Sequence, residues 1–183
     1  MTQEETGLIV ELGEWALIEA CKAASGWPEH LKVSVNISPV QLSSGRLAET
    51  VIRALEITGL KPNRLDLEIT ENALAKNLVA PLPAILRLRA LGCGIVMDDF
   101  GSDGTSLSYL RSFPFTRVKI DKSFILDLGK APESISIVQA IISICQSLGI
   151  SCTAEGVETE EQYNLLASFN CPEVQGFLFS RPI

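Results

Sequence analysis

Polar side chains with chemistry to offer recur at one kind of place in this chain, the far end of an apolar run. Asn36 closes one such run, Glu68 another, and the adjacent Asp98 and Asp99 a third. Lys119 lies near the end of a fourth, Glu155 closes a fifth and Gln175 a sixth. Asn36, Glu68, Asp98, Asp99 and Glu155 offer only oxygen donors, and hard oxygen donors suit Mg²⁺ or Mn²⁺. Four carboxylates gathered on one rim would repel each other. Either their protons are held to higher pH, or cations neutralise them. Asp98-Asp99 fits a carboxylate bridge between two ions about 3.5–4 Å apart, an arrangement suited to phosphate hydrolysis. Lys119 could orient a water or stabilise charge on a phosphate. Gln175 could hold a water or a phosphate oxygen.

Taken singly, each residue has a simpler role. Asn36 could cap a loop, Glu68 could pair with an arginine, and Glu155 could cap the turn at Gly156. Lys119 alone reads as a solvated or ion-paired residue, and Gln175 alone means little. Asp98-Asp99 is more telling, because two acids after a buried strand are costly unless paired or metal-bound. The combination outweighs any member.

Those residues need strands to carry them, and the pattern supplies about six, with helices between most of them. Leu8, Leu12 and Trp15 fall at helical spacing and predict an amphipathic N-terminal helix. LKVSVNIS is a short β-rich run. Leu47, Val51, Ala54 and Leu55 mark a second helix, stopped by Gly59 and Pro62. In LDLEIT, Leu65, Leu67 and Ile69 alternate with Asp66, Glu68 and Thr70, which is the period of a strand. Pro81 and Pro83 fit near the start of a helix that ends at Gly92. CGIVMD reads as a fully buried strand. A loop and a short helix around Ser106 to Arg111 lead to RVKID. Ile137, Ile141, Ile144 and Leu148 define a long helix closed by Gly149. SCTAEG is the next strand, Thr159 with Gln162 forms a capping box, and EVQG is the last strand. Such alternation implies a parallel sheet, doubly wound or closed into a barrel. Strand-end chemistry converging on one rim favours the barrel.

The 183 residues suit one domain, 46% hydrophobic and 20% charged. The formal net charge of −7 argues against binding DNA or RNA polymers through a basic face. No apolar run is long enough to cross a membrane, and the acidic start MTQEETG lacks the marks of a signal peptide. Five scattered cysteines without CxxC make structural zinc and a disulfide framework unexpected. A cytoplasmic setting follows, with most cysteines as small buried hydrophobes. Asp99-Phe100-Gly101 and Ala131-Pro132-Glu133 share letters with kinase motifs, but HRD and VAIK partners are missing. His30, the single histidine, reads as a surface residue.

EETGLI, NISPVQ, LDLEITE, DDFG, VKIDKSF, AEGVET and QGFLFSRP, in that order, resemble the EAL domain of bacterial signalling. The likeness runs from about Glu4 to Pro182. It implies an α/β fold, a TIM-like (β/α) barrel of EAL type, with about six of its eight strands in this chain. It implies metal-dependent hydrolysis of cyclic di-GMP to pGpG, a cyclic-guanylate phosphodiesterase activity. By resemblance, Asn36, Glu68 and Asp98 match ligands of one Mg²⁺ or Mn²⁺, and Asp98, Asp99 and Glu155 match ligands of the second. Lys119 matches a lysine that assists the attacking water, and Gln175 a glutamine near it. Glu71 matches a residue that steadies the loop after DDFG. Many members sit beside sensor or GGDEF domains and work as homodimers.

Two departures stand out. The Glu-Ala-Leu segment that names the family is absent, and with it a metal ligand and a neighbouring arginine implicated in substrate binding. The expectation is a single EAL-type domain over residues 1–183 that lacks its first strands. The loop after DDFG reads Ser102-Asp103-Gly104-Thr105 where Thr-Gly-Tyr-Ser is usual, adding a negative charge and a flexible glycine. Two alternatives to an enzyme therefore stand beside it, a catalytically silent cyclic di-GMP receptor and a protein-interaction module.

Overall fold

LDLEIT forms a six-residue strand, Leu65–Thr70, and five of its six residues are buried. Its polar alternate residues thus face protein and not water, as in a parallel sheet covered on both sides. The computed structural model describes residues 8–75, 81–101 and 107–181. Six strands occur among them: β1 (Val33–Asn36), β2 (Leu65–Thr70), β3 (Gly94–Phe100), β4 (Arg117–Ile120), β5 (Ser151–Glu155) and β6 (Glu173–Gln175). They follow the sheet in chain order. β1 pairs with β2, β4 with β5 and β5 with β6, all parallel. Each expected strand is present within a residue or two of its expected bounds.

The helices between them are α1 (Leu8–Ser25), α2 (Pro39–Ser43), α3 (Leu47–Thr58), α4 (Glu71–Ala75), α5 (Leu82–Leu91), α6 (Leu107–Ser112), α7 (Lys122–Leu126), α8 (Pro132–Leu148) and α9 (Glu160–Ser168). Gly59, Gly92 and Gly149 close α3, α5 and α8 in the left-handed conformation, as their positions predict. The Thr159–Gln162 capping box opens α9. A second box, Ser38 with Gln41, opens α2 and was not foreseen. None of the described helices is long and apolar enough to cross a membrane.

The chain forms two compact units, Met1–Val96 with Leu107–Pro114, and Met97–Ser106 with Phe115–Ile183. In the first, α1 packs on α3 and α2. The helix is where the pattern places it, but its buried face is not Leu8, Leu12 and Trp15, which are exposed. It buries Leu17, Cys21 and Ala24 instead. Small residues let the helices approach closely: a Cβ on Gly13 would lie 2.2 Å from Gln41 Nε2. Arg64 is buried beneath this layer. Its guanidinium donates to the carbonyls of Ala24 (2.7 Å), Leu31 (2.8 Å) and Trp27 (3.3 Å) and so ties the end of α1 to the start of β2.

In the second unit, α7 and α8 cover β5. Gln162 links the layers, its side-chain amide donating to the Ile125 carbonyl at 2.9 Å. The Ser102–Thr105 loop, the start of EETGLI and Pro182 of the last motif lie outside the described residues. His30 is exposed, as expected.

Candidate active site

β3 delivers the two adjacent acids. An extended strand would point Asp98 and Asp99 to opposite faces. Asp99 instead adopts a left-handed backbone, with φ of 54°. This conformation costs a non-glycine residue roughly 1–2 kcal/mol, and Asp is among the residues that tolerate it. The kink breaks the alternation and brings both carboxylates to the same side. They meet Glu155 from the end of β5, and one oxygen from each of the three lies within 4.8 Å of the others. Gly101 follows with φ of 97°, and Phe124 packs so closely there that a Cβ would sit 2.6 Å from its ring.

Lys119 of β4 projects into this cluster. Its Nζ is 2.7 Å from Glu155 Oε1 and 3.1 Å from Asp98 Oδ1, with its side chain only 10% exposed. Asp98 and Lys119 are both buried, while Asp99 and Glu155 are half-buried. The Lys119 ammonium thus contacts two of the three clustered carboxylates. The Asp99 carboxyl is held above the usual aspartate range by burial first, then by the charges of Asp98 and Asp121. Lys119 and Lys122 oppose that shift.

The remaining rim of this unit is fixed by close backbone approach. Val157 donates to the Gln175 carbonyl at 3.0 Å, and Leu178 donates to the Val157 carbonyl at 3.0 Å. A Cβ on Gly176 would lie 2.1 Å from the Val157 oxygen, so only glycine fits. Glu155 and Gln175 are register partners in β5 and β6, and Gln175 is exposed. Beside them is an open cavity of about 350 Å³, lined among others by Lys122, Glu155, Glu158, Gln175 and Phe177. Lys122, Glu158 and Phe177 were not singled out from the sequence. Their place in VKIDKSF, AEGVET and QGFLFSRP was the available signal.

In the first unit, Asn36 and Glu68 are register partners at the ends of β1 and β2. The Ile37 amide donates to the Glu68 carbonyl at 2.8 Å and extends the pairing by one bond. Glu68 is buried and Asn36 exposed. Glu71, also buried, opens α4 directly after β2. Asp66 is a further buried acid, held by Lys32 at 3.2 Å, and plays a structural part. Within the units, therefore, Asp98, Asp99, Glu155 and Lys119 come together, as do Asn36 and Glu68.

A family model for the EAL domain matches residues 1–182. The chain belongs to the EAL domain family. It is 48% identical over 179 residues to an uncharacterized signaling protein of Caulobacter vibrioides, covering 98% of this chain and 22% of that protein. It is 41% identical over 184 residues to the cyclic di-GMP phosphodiesterase NbdA of Pseudomonas aeruginosa, covering 98% of this chain and 24% of NbdA. Among solved structures, the PaMucR phosphodiesterase in complex with c-di-GMP superposes with a TM-score of 0.93 at 39% identity. That match covers 99% of this chain and 75% of PaMucR. Klebsiella pneumoniae BlrP1 in a manganese and cyclic di-GMP complex gives 0.83 at 28% identity, covering 100% of this chain and 46% of BlrP1. The chain spans about a quarter of the length of the curated relatives. The EAL fold is the α/β, TIM-like barrel that the sequence resemblance implied.

Proposed function

We propose that this EAL domain hydrolyses cyclic di-GMP to linear pGpG with the help of Mg²⁺ or Mn²⁺. The observation that carries the reading is the carboxylate cluster of Asp98, Asp99 and Glu155 with Lys119 reaching into it. The residues fit a divalent cation. The donors are all oxygens, the kink at Asp99 converges them, and three carboxylates share one small space. The phosphodiesterase names of relatives such as NbdA support the substrate.

In this reading Asp98, Asp99 and Glu155 would hold one ion, and by the family resemblance Asn36, Glu68 and Asp98 would supply ligands to a second. When bound, the ions supply charge stabilisation at the phosphodiester and acidify a water. Lys119 orients that water and offers its ammonium to charge that develops on the phosphate. Gln175, register partner of Glu155, positions a water or a phosphate oxygen. By the family resemblance Glu71 would steady the segment after DDFG, which lies outside the described residues. The cavity beside Glu155 has room for part of the nucleotide, with Lys122 able to meet a phosphate oxygen.

Residues 1–183 act as a single EAL-type domain, and the family's Glu-Ala-Leu segment adds a further ligand. The domain works in the cytoplasm within a longer signalling protein, with sensor or GGDEF domains beside it, as a homodimer. One observation favours a second reading. Asp103 and Gly104 depart from the usual loop after DDFG, and a receptor that binds cyclic di-GMP without cleaving it would tolerate that change.

The test is pGpG production with Mn²⁺ by this chain and by a version extended upstream through a Glu-Ala-Leu segment, with binding followed by calorimetry. Turnover in the extended version supports the enzyme. Tight binding without pGpG in either version identifies the receptor.

A further inference from the structure

Three of the five cysteines, scattered in the sequence, meet in the second unit on the side of the sheet ends away from the carboxylates. Cys145 lies on α8, Cys152 near the start of β5, and Cys171 in the turn that leads into β6. Cys152 Sγ lies 3.9 Å from Cys171 Sγ, in van der Waals contact. Cys152 also shares a sulfur hydrogen bond with Cys145, which draws the Cys145 thiol down and pushes Cys152 up. Of the five cysteines only Cys171 is not fully buried. It also donates to the Glu173 carbonyl at 3.2 Å, which fixes its sulfur on the side facing Cys152.

Two thiols, one on β5 and one in the turn that leads into β6, already in contact and with one partly open to solvent, form an oxidisable pair. We propose that Cys152 and Cys171 form a reversible disulfide when the protein meets a peroxide. Cys171 Sγ attacks a peroxide oxygen: the S–O bond forms, the O–O bond breaks, and the released hydroxide takes the Cys171 proton. Cys152 Sγ then attacks the Cys171 sulfur: the S–S bond forms, the S–O bond breaks, and the leaving hydroxide takes the Cys152 proton. Two thiols lose two electrons, and one hydrogen peroxide becomes two waters. The sulfur hydrogen bonds first, from Cys145 on Cys152 and from Cys152 on Cys171, and burial after them raise both thiols above the usual cysteine range. At neutral pH the pair therefore rests as thiols and responds to sustained peroxide.

The bridge would join residues nineteen positions apart. It would cross from β5 to the segment entering β6 and enclose α9. Glu155 and Gln175 sit at the other ends of these strands, paired in register. The bond fastens the two strands that carry them without touching the carboxylate cluster. Cys145 stays reduced and offers a nearby thiol for later exchange.

The experiment treats the purified protein with hydrogen peroxide, blocks free thiols, and maps the linkage by mass spectrometry. Glutamate-specific digestion is required, because no Lys or Arg lies between Cys145 and Cys171. Differential alkylation separates Cys145 from Cys152. The expected result is one intramolecular link between Cys152 and Cys171. A rise of roughly 5–10 °C in melting temperature should accompany it and vanish with dithiothreitol. Cys171→Ser should lose both effects and Cys145→Ala should keep both. A link from Cys145 to Cys152, an intermolecular dimer, or five unmodified thiols in folded protein would overturn the proposal.

Discussion

The Lys119 ammonium lies 2.7 Å from Glu155 Oε1, a contact that joins the end of β4 to the end of β5. The same nitrogen reaches Asp98 at 3.1 Å. The lysine therefore stands where carboxylates most need a cation. In the proposed reaction, bound ions would share that duty and free the lysine to act on substrate.

Lys119→Met should lower phosphodiesterase turnover by at least about 10²-fold, the scale of a lost proton-transfer or charge-stabilising group. It should also destabilise the metal-free protein by about 3 kcal/mol, because removing one partner strands buried acids. Mn²⁺ should recover more stability in the variant than in the parent. Thermal melts with EDTA and with Mn²⁺ check the second point independently of activity.

Asp98→Ala and Asp99→Asn should each reduce turnover at least about 10³-fold and abolish the rise in melting temperature caused by Mn²⁺. Asn keeps the tolerance for a left-handed backbone at position 99. Lost Mn²⁺ binding in Asp99→Asn would then report the missing charge and not a changed strand. Calorimetric titration with Mn²⁺ reads this directly.

Gly176→Ala should cost about 1–3 kcal/mol, because its methyl would press on the Val157 backbone. Denaturant unfolding gives the value. The end of β6 that carries Gln175 would have to shift, so turnover per folded molecule should fall as well.

Arg64→Ala removes the donor for three carbonyls, those of Ala24, Trp27 and Leu31. The expected loss is about 2–4 kcal/mol by urea unfolding. Turnover per folded molecule should stay unchanged, since Arg64 serves the scaffold.

The strands were legible because each is an apolar run that ends in a polar residue. The placement of Asp98, Asp99, Lys119 and Glu155 near strand ends was legible from that alone. Helix ends were legible where glycine must adopt a positive φ, as at Gly59, Gly92 and Gly149. The buried face of α1 was not. Hydrophobic spacing selects the largest side chains, while close helix packing selected Leu17, Cys21 and Ala24. Nothing in the sequence marks Arg64 or Asp66 for burial, which their tertiary partners explain. Nor could spacing reveal the left-handed Asp99 or the meeting of Cys145, Cys152 and Cys171, which depend on how distant segments pack.

The most direct measurement is the release of pGpG from cyclic di-GMP by the parent protein and by Asp98→Ala, each with Mn²⁺ and with EDTA. The account predicts pGpG from the parent with Mn²⁺ only, and none from Asp98→Ala under either condition. Equal pGpG release by parent and variant, or release unaffected by EDTA, would contradict it.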